Sequence, residues 1–250
     1  MTKMVQINAD VIYGRGGRVF IISDLHGNIE DFNRWLKSVG FTNADYCIVN
    51  GDAIDRGSDG IALLLHFMRN PNNYLFLMGN HEELMLGAIK EADSGSINRF
   101  YQDNWFANGG NPTCEAFCSC SNKVQDEIVS FLENSPYVGE IVSESHESIF
   151  VAHAGLNAQW LHEVCNGILS KDKYGMSNVT WARDEWWYTP NDLGKMLVTG
   201  HTSTSHYGGV RGEVLWADYQ RRLVIDCNTN GTHKVGYVSF EPTRCYFGSN

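Results

Sequence analysis

Six residues of this chain carry metal-binding side chains and recur where a site could gather them: Asp24, His26, Asp52, Asn80, His153 and His201. Each is expected at the mouth of a strand. Two transition-metal ions roughly 3.5–4 Å apart need a carboxylate shared between them and several further nitrogen and oxygen donors. This set supplies both. Imidazole, carboxylate and amide donors without a thiolate suit manganese, iron or zinc better than the oxygen-only cages of magnesium or calcium. Asp24 and His26, two positions apart in an extended turn, point to the same side and can chelate one ion, and Gly27 then allows a tight backbone. The plainer assignment for Asp24, Asp52 and Asn80 is as caps of the helices that follow them. The full ordered series favours ligation.

The elements that must position these donors follow from hydrophobic period. Arg18 to Ser23 reads as a buried strand, and Asn28 to Val39 as an amphipathic helix with Ile29, Phe32, Leu36 and Val39 on one face. The unit repeats as a strand over Tyr46 to Asn50 with a helix over Gly60 to Arg69, then a strand over Tyr74 to Met78 with a helix from His81 to Ala92. Three such units predict parallel strands joined by right-handed crossovers, with ligands collecting outside the strands' carboxyl ends. From Gly95 to Tyr137 the pattern is helical, with Asn122 and Gln125 forming a capping-box-like start. After Val138 the chain turns β-rich. Strands are expected at Glu140 to Ser143, Ser148 to Val151, Lys195 to Thr199, Glu213 to Ala217, Arg222 to Asp226 and Lys234 to Phe240. The predicted architecture is α/β, a two-sheet sandwich flanked by helices. Asn157 to Asn191 is weakly periodic, holds Trp160, Trp181, Trp186 and Trp187, and reads as a functional loop or lid.

Composition limits the functional classes. The 250 residues are 43% hydrophobic and 12% aromatic, enough for a large core within one domain over residues 1–250. The net charge of −10 opposes a broad nucleic-acid surface, so phosphate recognition must be local. No run approaches the roughly 20 apolar residues of a membrane span, and Met1 to Gly17 lacks a signal-peptide core, which predicts a cytoplasmic protein with no membrane or nucleic-acid partner. Seven cysteines without secreted-domain spacing predict reduced thiols. Cys114, Cys118 and Cys120 lack a nearby fourth ligand for a zinc site.

The donor segments read Ser23-Asp24-Leu25-His26-Gly27, Gly51-Asp52-Ala53-Ile54-Asp55-Arg56-Gly57, Gly79-Asn80-His81-Glu82, His153-Ala154-Gly155 and Gly200-His201-Thr202. In this order they resemble the signatures of the phosphoprotein phosphatase family of calcineurin-like metallophosphoesterases, the first three of which read GDxHG, GDxVDRG and GNHE. The resemblance runs from Arg18 to Phe240. Trp105 followed by Asn108-Gly109-Gly110, and Trp181-Ala182-Arg183, look most like the bacteriophage lambda branch of serine/threonine phosphatases. Ser23, Ile54 and Ala154 depart from the commonest family residues without touching the donors.

The resemblance implies one metal on Asp24 and His26, the other on Asn80, His153 and His201, and Asp52 bridging, with Mn2+ the first candidate and Fe or Zn alternatives. It implies direct attack on phosphorus by a hydroxide bridging the two ions, since metal coordination brings the pKa of water toward ~7. His81 would protonate the leaving alkoxide and Asp55 would orient His81. Arg56 and Arg183, with Asn80, would hold the phosphoryl group. The implied activity is hydrolysis of phosphoserine and phosphothreonine in a protein or peptide, with phosphotyrosine or phosphohistidine as further substrates.

Competing readings attach to each assignment. His81 could merely anchor its helix, Arg56 could pair with Asp55 or Asp59, and Arg183 with Asp184 or Glu185. Trp186, Trp187 and Tyr188 could line a groove, although packing is favoured. Asp226 has at most a supporting role, and His66, His146, His162, His206 and His233 are assigned structural or exposed places. Two other functions compete. A symmetrical diadenosine-tetraphosphate hydrolase would share the fold and metals, but Glu82 in place of the Asp usual there, and the intact Asp55-Arg56 pair, lean toward the protein phosphatase. A non-catalytic phosphoprotein-binding module would be expected to lack a donor, and the series is complete.

Overall fold

Alternate residues of a strand face opposite sides, and in Val19–Ile22 both sides are apolar, so this strand must be covered twice. The computed structural model, which describes residues 3–95, 97–173, 175–217, 219 and 221–250, with the side chain of Glu185 left out, shows how. Val19 and Ile21 face a second sheet, while Phe20 and Ile22 face helices.

In chain order the elements are β1 (Met4–Asn8), α1 (Ala9–Gly14), β2 (Val19–Ile22), α2 (Ile29–Ser38), β3 (Tyr46–Asn50), α3 (Gly60–Arg69), β4 (Tyr74–Leu77) and α4 (Asn80–Asp93). Then come α5 (Phe100–Ala107), α6 (Asn111–Cys118), α7 (Asn122–Asn134), β5 (Val138–Val142), β6 (Ile149–Ala152), α8 (Ala158–Cys165), α9 (Asn178–Trp181) and α10 (Asp184–Trp187). The chain ends with β7 (Met196–Thr199), a 3₁₀ turn (Thr204–Tyr207), β8 (Leu215–Ala217), β9 (Arg222–Val224), α11 (Thr229–Thr232), β10 (Gly236–Glu241) and β11 (Arg244–Ser249).

Two mixed sheets result, ordered β1-β5-β6-β7-β9-β8 and β11-β10-β2-β3-β4. The three β-then-α units place β2, β3 and β4 side by side and parallel, as their spacing predicts. A dry layer between the sheets holds Val19, Ile21, Ile48, Leu77, Ile141, Val151, Val198, Leu223 and Val238. Each such side chain contributes about 1.5–3 kcal/mol by leaving water. A second apolar layer packs Phe20, Val49 and Phe76 under Phe32 and Trp35 of α2 and Leu63, Leu64 and Phe67 of α3. The strand ends that carry the donors are therefore fixed from both sides.

Some expectations shift. The strands after Val138 fall within two residues of their predicted bounds. The N-cap of α7 is Ser121 and not Asn122, and Gln125 donates to the carbonyls of Phe117 and Cys120 in place of a capping box. β1, α1 and β11 were not predicted: β1 and β11 are sheet edges with little alternation to read. The Trp-rich stretch carries α8, α9 and α10, which its weak periodicity concealed, and Tyr174 within it lies outside the described residues. Among the described residues no helix is long and apolar enough to cross a membrane.

One buried carboxylate ties the start of this framework together. Asp45 accepts from the Arg18 backbone at 2.8 Å, from its Nε at 3.1 Å and Nη2 at 2.9 Å, and from the Thr42 backbone at 2.8 Å. Burial pushes the Asp45 carboxyl up, but these donors outweigh it and hold it below the usual carboxylate range. Asp45→Ala should cost about 2–3 kcal/mol at neutral pH in urea unfolding. Because the folded-state pKa is depressed, this contribution is present above the ordinary carboxylate range and is lost as pH falls through the folded value. The gap between wild type and variant should therefore narrow in acid, and a gap independent of pH would contradict the assignment.

Candidate active site

Among the described residues nine non-glycine positions have φ between +46° and +72°, and six of them are Asp24, His26, Asp52, Asp55, Arg56 and His201. Left-handed backbone is costly for such residues and concentrates where side chains must be aimed. It follows the strands directly: Asp24 and His26 lie past β2, Asp52 past β3 and His201 past β7. The loops brace one another, with Asp24 N–H on Gly51 O at 3.2 Å, His26 N–H on Asp52 O at 2.9 Å and Gly27 N–H on Ala53 O at 2.8 Å. Gly51, at φ +75°, has no room for a side chain, since a Cβ would stand 2.6 Å from both Gly79 Cα and His153 Nδ1.

The side chains so aimed form two donor clusters, His26–Asp52–His81 and Asp52–His153–His201, each with its ligand atoms within 4.8 Å of one another. Asp52 belongs to both, as a bridge requires. Its carboxylate stands 3.3 Å from His153 Nε2, 3.7 Å from His81 Nε2 and 3.8 Å from His26 Nε2. Asn80 Oδ1 lies 3.0 Å from His153 Nε2 and 2.8 Å from His201 Nδ1, so Asn80 sits among the donors and is buried. Asp24 is buried at the same strand ends, close enough to Asp52 and His153 to feel their charge. Its carboxylate accepts the His201 backbone N–H at 3.0 Å and the Ser23 hydroxyl, and His81 takes the third corner of the first cluster.

The electrostatics ask for cations. Burial pushes the Asp24 carboxyl well up, and Asp226 and Asp52 push it further. Asp226 is raised by burial and by Asp52 as well. Asp52 goes the other way: against burial, His153, His81 and His26 hold it well below the usual range. Burial would lower His153, but Asp52 and Asp24 carry it up to about 10. Three buried carboxylates within reach of one another are costly unless positive charge joins them. His201 Nε2 is moreover buried without a hydrogen-bond partner. An unpartnered imidazole nitrogen beside clustered carboxylates and an amide oxygen fits divalent metal ions of the imidazole-binding kind.

Beside the clusters stands a hydrogen-bonded pair. His81 Nδ1 meets Asp55 Oδ2 at 2.6 Å, and both residues are buried. Burial opposes protonation of His81, but Asp52 and Asp55 prevail and raise it. Asp55 is held in turn by Trp105 Nε1, 3.0 Å from each carboxylate oxygen, while its own N–H donates to Thr113 Oγ1 at 2.9 Å. Arg56 N–H donates to Gly109 O at 2.9 Å. The guanidinium of Arg56 reaches His26 Nε2 at 2.8 Å and His81 Nε2 at 3.2 Å. Arg183 donates to Thr202 Oγ1 at 3.1 Å, next to His201, while Asp184 pairs with His206 at 2.7 Å. Both arginines are exposed, Arg56 against His26 and His81 of the first cluster and Arg183 against Thr202, the neighbour of His201 in the second. Beside Arg183 a cavity of about 490 Å³ is lined by Trp160, Trp181 and Trp186 with Asn157, Asn178 and Asp172.

Several partners escape sequence reasoning. Glu82 accepts the N–H groups of Asp52, Ala53 and Gly79 at 3.0, 3.0 and 3.1 Å, fixing the turn that aims Asp52, and burial with Asp52 raises it to about 7. Its place three residues past Gly79, the cap of α4, was the available signal. Trp105 and Gly109 stood out in the sequence only as part of the resemblance, without their bonds to Asp55 and Arg56, and Thr113 had no signal, because these contacts arise by tertiary closure. Trp186 and Trp187 are buried and Tyr188 is exposed, so the first two pack as expected. His66 lies against Phe32, Phe67 and Tyr74, and His233 meets Asp31, both outside the clusters. None of the three cysteines of α6 and its following turn joins a donor cluster among the described residues.

A donor set of the dimetal type, with a His–Asp pair and two arginines beside it, lies at the mouth of a two-sheet sandwich. The chain belongs to the calcineurin-like phosphoesterase family, whose model matches residues 17–229. It is 24% identical over 142 residues to a symmetrical bis(5'-nucleosyl)-tetraphosphatase of Buchnera aphidicola, covering 56% of this chain and 45% of that one. It is 39% identical over 70 residues to a serine/threonine-protein phosphatase of Caenorhabditis elegans, covering 26% and 15%. The chain spans about half the length of the first relative or less of the second. A solved structure provisionally named a diadenosine tetraphosphatase superposes with a TM-score of 0.62 at 17% identity over 100% of this chain and 99% of that one, a likeness of fold.

The support of Asp55 by an indole is testable. Trp105→Phe keeps the packing and removes the hydrogen bond, which is worth about 1–2 kcal/mol to a charged acceptor. A fall in kcat of about 5- to 30-fold with little change in KM is expected on p-nitrophenyl phosphate. An unchanged kcat would dissociate Trp105 from the chemistry.

Proposed function

We propose that this chain is a phosphomonoesterase of the phosphoprotein phosphatase type, acting on phosphoserine and phosphothreonine in a protein or peptide in the cytoplasm. The observation that carries the reading is the 2.6 Å contact of Asp55 with His81 beside the two donor clusters, flanked by Arg56 and Arg183. A serine or threonine alkoxide is a poor leaving group, and a buried imidazole whose proton Asp55 and Asp52 favour answers that need.

In this reading Asp24, His26, Asp52, Asn80, His153 and His201 would hold two divalent ions, with manganese the first candidate. When bound, the ions supply an activated water at neutral pH and offset charge on the phosphoryl group. The chain does the rest. Arg56 and Arg183 orient the non-bridging oxygens and retain their charge throughout, so their hydrogen bonds strengthen as charge develops. His81 holds the proton at Nε2 for the leaving oxygen, because Nδ1 is committed to Asp55. Asn80, fixed between His153 and His201, borders the phosphoryl position. Two arginines suit a terminal dianionic group better than a diester.

A second reading, symmetrical dinucleoside-tetraphosphate hydrolysis, is favoured by the longer alignment to the Buchnera enzyme and by the tryptophan-lined cavity next to Arg183, whose size and planar walls would accept a nucleobase. Steady-state hydrolysis of p-nitrophenyl phosphate, a phosphothreonine peptide and diadenosine tetraphosphate by metal-stripped protein, with and without manganese, separates the two. The account predicts manganese-dependent phosphate release from the peptide, reduced about 10²–10⁴-fold in kcat by His81→Asn and abolished by Asp52→Asn. Preferential cleavage of the dinucleotide would transfer the assignment to the second reading.

A further inference from the structure

Arginine is costly to bury, yet Arg222 of β9 is 1% exposed, paired in register with Leu197 of β7 on one side and Ala217 of β8 on the other. Its guanidinium stacks on the Trp186 ring, with Cζ 4.2 Å from the ring centre. Nη1 donates to the carbonyl of Trp187 at 2.8 Å and to that of Trp186 at 3.3 Å. Those carbonyls close α10, which is only four residues long; that of Trp186 also accepts from the Thr189 N–H at 3.2 Å and from its hydroxyl at 2.6 Å, so the stronger hold of Arg222 is on the carbonyl of Trp187. An aliphatic residue would fill the space at lower desolvation cost but could not donate to them.

The segment held in this way begins at Arg183. Trp187 N–H bonds the Arg183 carbonyl at 3.0 Å, so the carbonyl that Arg222 grips is one residue's span from the backbone of Arg183. The same segment is stapled twice more. Trp186 Nε1 donates to Leu156 O at 2.9 Å, in the loop that follows His153. The Trp187 ring stacks on Tyr207 at 4.2 Å and 16°, in the turn that follows His201 and Thr202. The last two attachments lead to loops that carry donors or the Thr202 hydroxyl that receives Arg183, and the first leads to β9.

We propose that Arg222 is a positioning residue that sets the place of Arg183 by clamping the Trp186–Trp187 turn to β9. The inference rests on the reading of Arg183 as a phosphoryl-binding residue. Arg222 does not reach the substrate: a displacement of the turn by an ångström would carry the Arg183 guanidinium off its target, and errors of that size cost up to about 10²-fold in rate.

The test is a double-mutant cycle on the manganese-loaded protein with p-nitrophenyl phosphate, using Arg222→Met, Arg222→Lys and Arg183→Ala singly and Arg183→Ala combined with each of the others. The readouts are kcat, KM, the inhibition constant for inorganic phosphate, and thermal midpoints to establish folding. Arg222→Met should raise KM and the phosphate inhibition constant about tenfold, close to the effect of Arg183→Ala, and should add less than twofold in the Arg183→Ala background. Arg222→Lys, which keeps the charge and one donor, should fall between wild type and Arg222→Met, and it carries the cycle alone should Arg222→Met not fold. Effects of Arg222 substitution that multiply with those of Arg183→Ala, or wild-type phosphate affinity in folded Arg222 variants, would overturn the inference. Wild-type phosphate affinity in Arg183→Ala itself would overturn the reading of Arg183 beneath it.

Discussion

The whole site depends on a costly backbone choice made at the ends of three strands. Asp24, Asp52 and His201 each leave their strand through left-handed φ, and His26, Asp55 and Arg56 repeat the choice one turn later. Each such residue costs on the order of 1 kcal/mol or more relative to ordinary extended or helical backbone. Ordinary backbone would send successive side chains to opposite faces and scatter the donors. The turns persist because the loops share hydrogen bonds with one another, because Gly51 lets two of them touch, and because the Glu82 carboxylate collects three N–H groups that no strand or helix would use. The sandwich beneath, apolar on both faces of β2 and β3, gives these loops a rigid base.

Around that base the helices divide the labour. The first turn of α4 delivers Asn80 and His81 to the donors and Glu82 to the backbone, and its N-terminal dipole end points at a place suited to an anionic phosphoryl group. The helices α5 and α6 supply no donor themselves. They brace the loop after β3 through Trp105, Gly109 and Thr113, which fix Asp55 and Arg56 from the outer side. The segment from Asn157 to Asn191, read from sequence as a functional loop or lid, is packed by Trp186 and Trp187 and carries Arg183. Arg56 and Arg183 therefore meet unrelated parts of the chain, one the loop between α5 and α6 and the other Thr202.

The donors were legible in the sequence because their chemistry is distinctive and each follows an apolar run that reads unambiguously as a strand. The parallel β2-β3-β4 order was legible for the same reason, since strand and helix periods alternate three times. What stayed hidden depends on closure in three dimensions. Trp105 lies 50 positions from Asp55, and although its motif marked the resemblance, nothing local told that its indole holds that carboxylate. The grouping of His81 with His26 and Asp52 depends on how the start of α4 meets the strand ends, which periodicity does not report. Arg222 looks in sequence like an exposed residue beside Arg221, and only the sheet register turns one of the pair inward while the other meets Glu147 at the surface. The edge strands β1 and β11 are specified by pairing more than by pattern.

The central claim is that these strand ends converge on a pair of metal ions bridged by Asp52. Anomalous diffraction from crystals of the manganese-loaded protein tests it most directly. The account predicts two peaks roughly 3.5–4 Å apart, one beside His26 and the other beside His153 and His201, with Asp52 between them. A single peak, or a pair located away from Asp52, would contradict it.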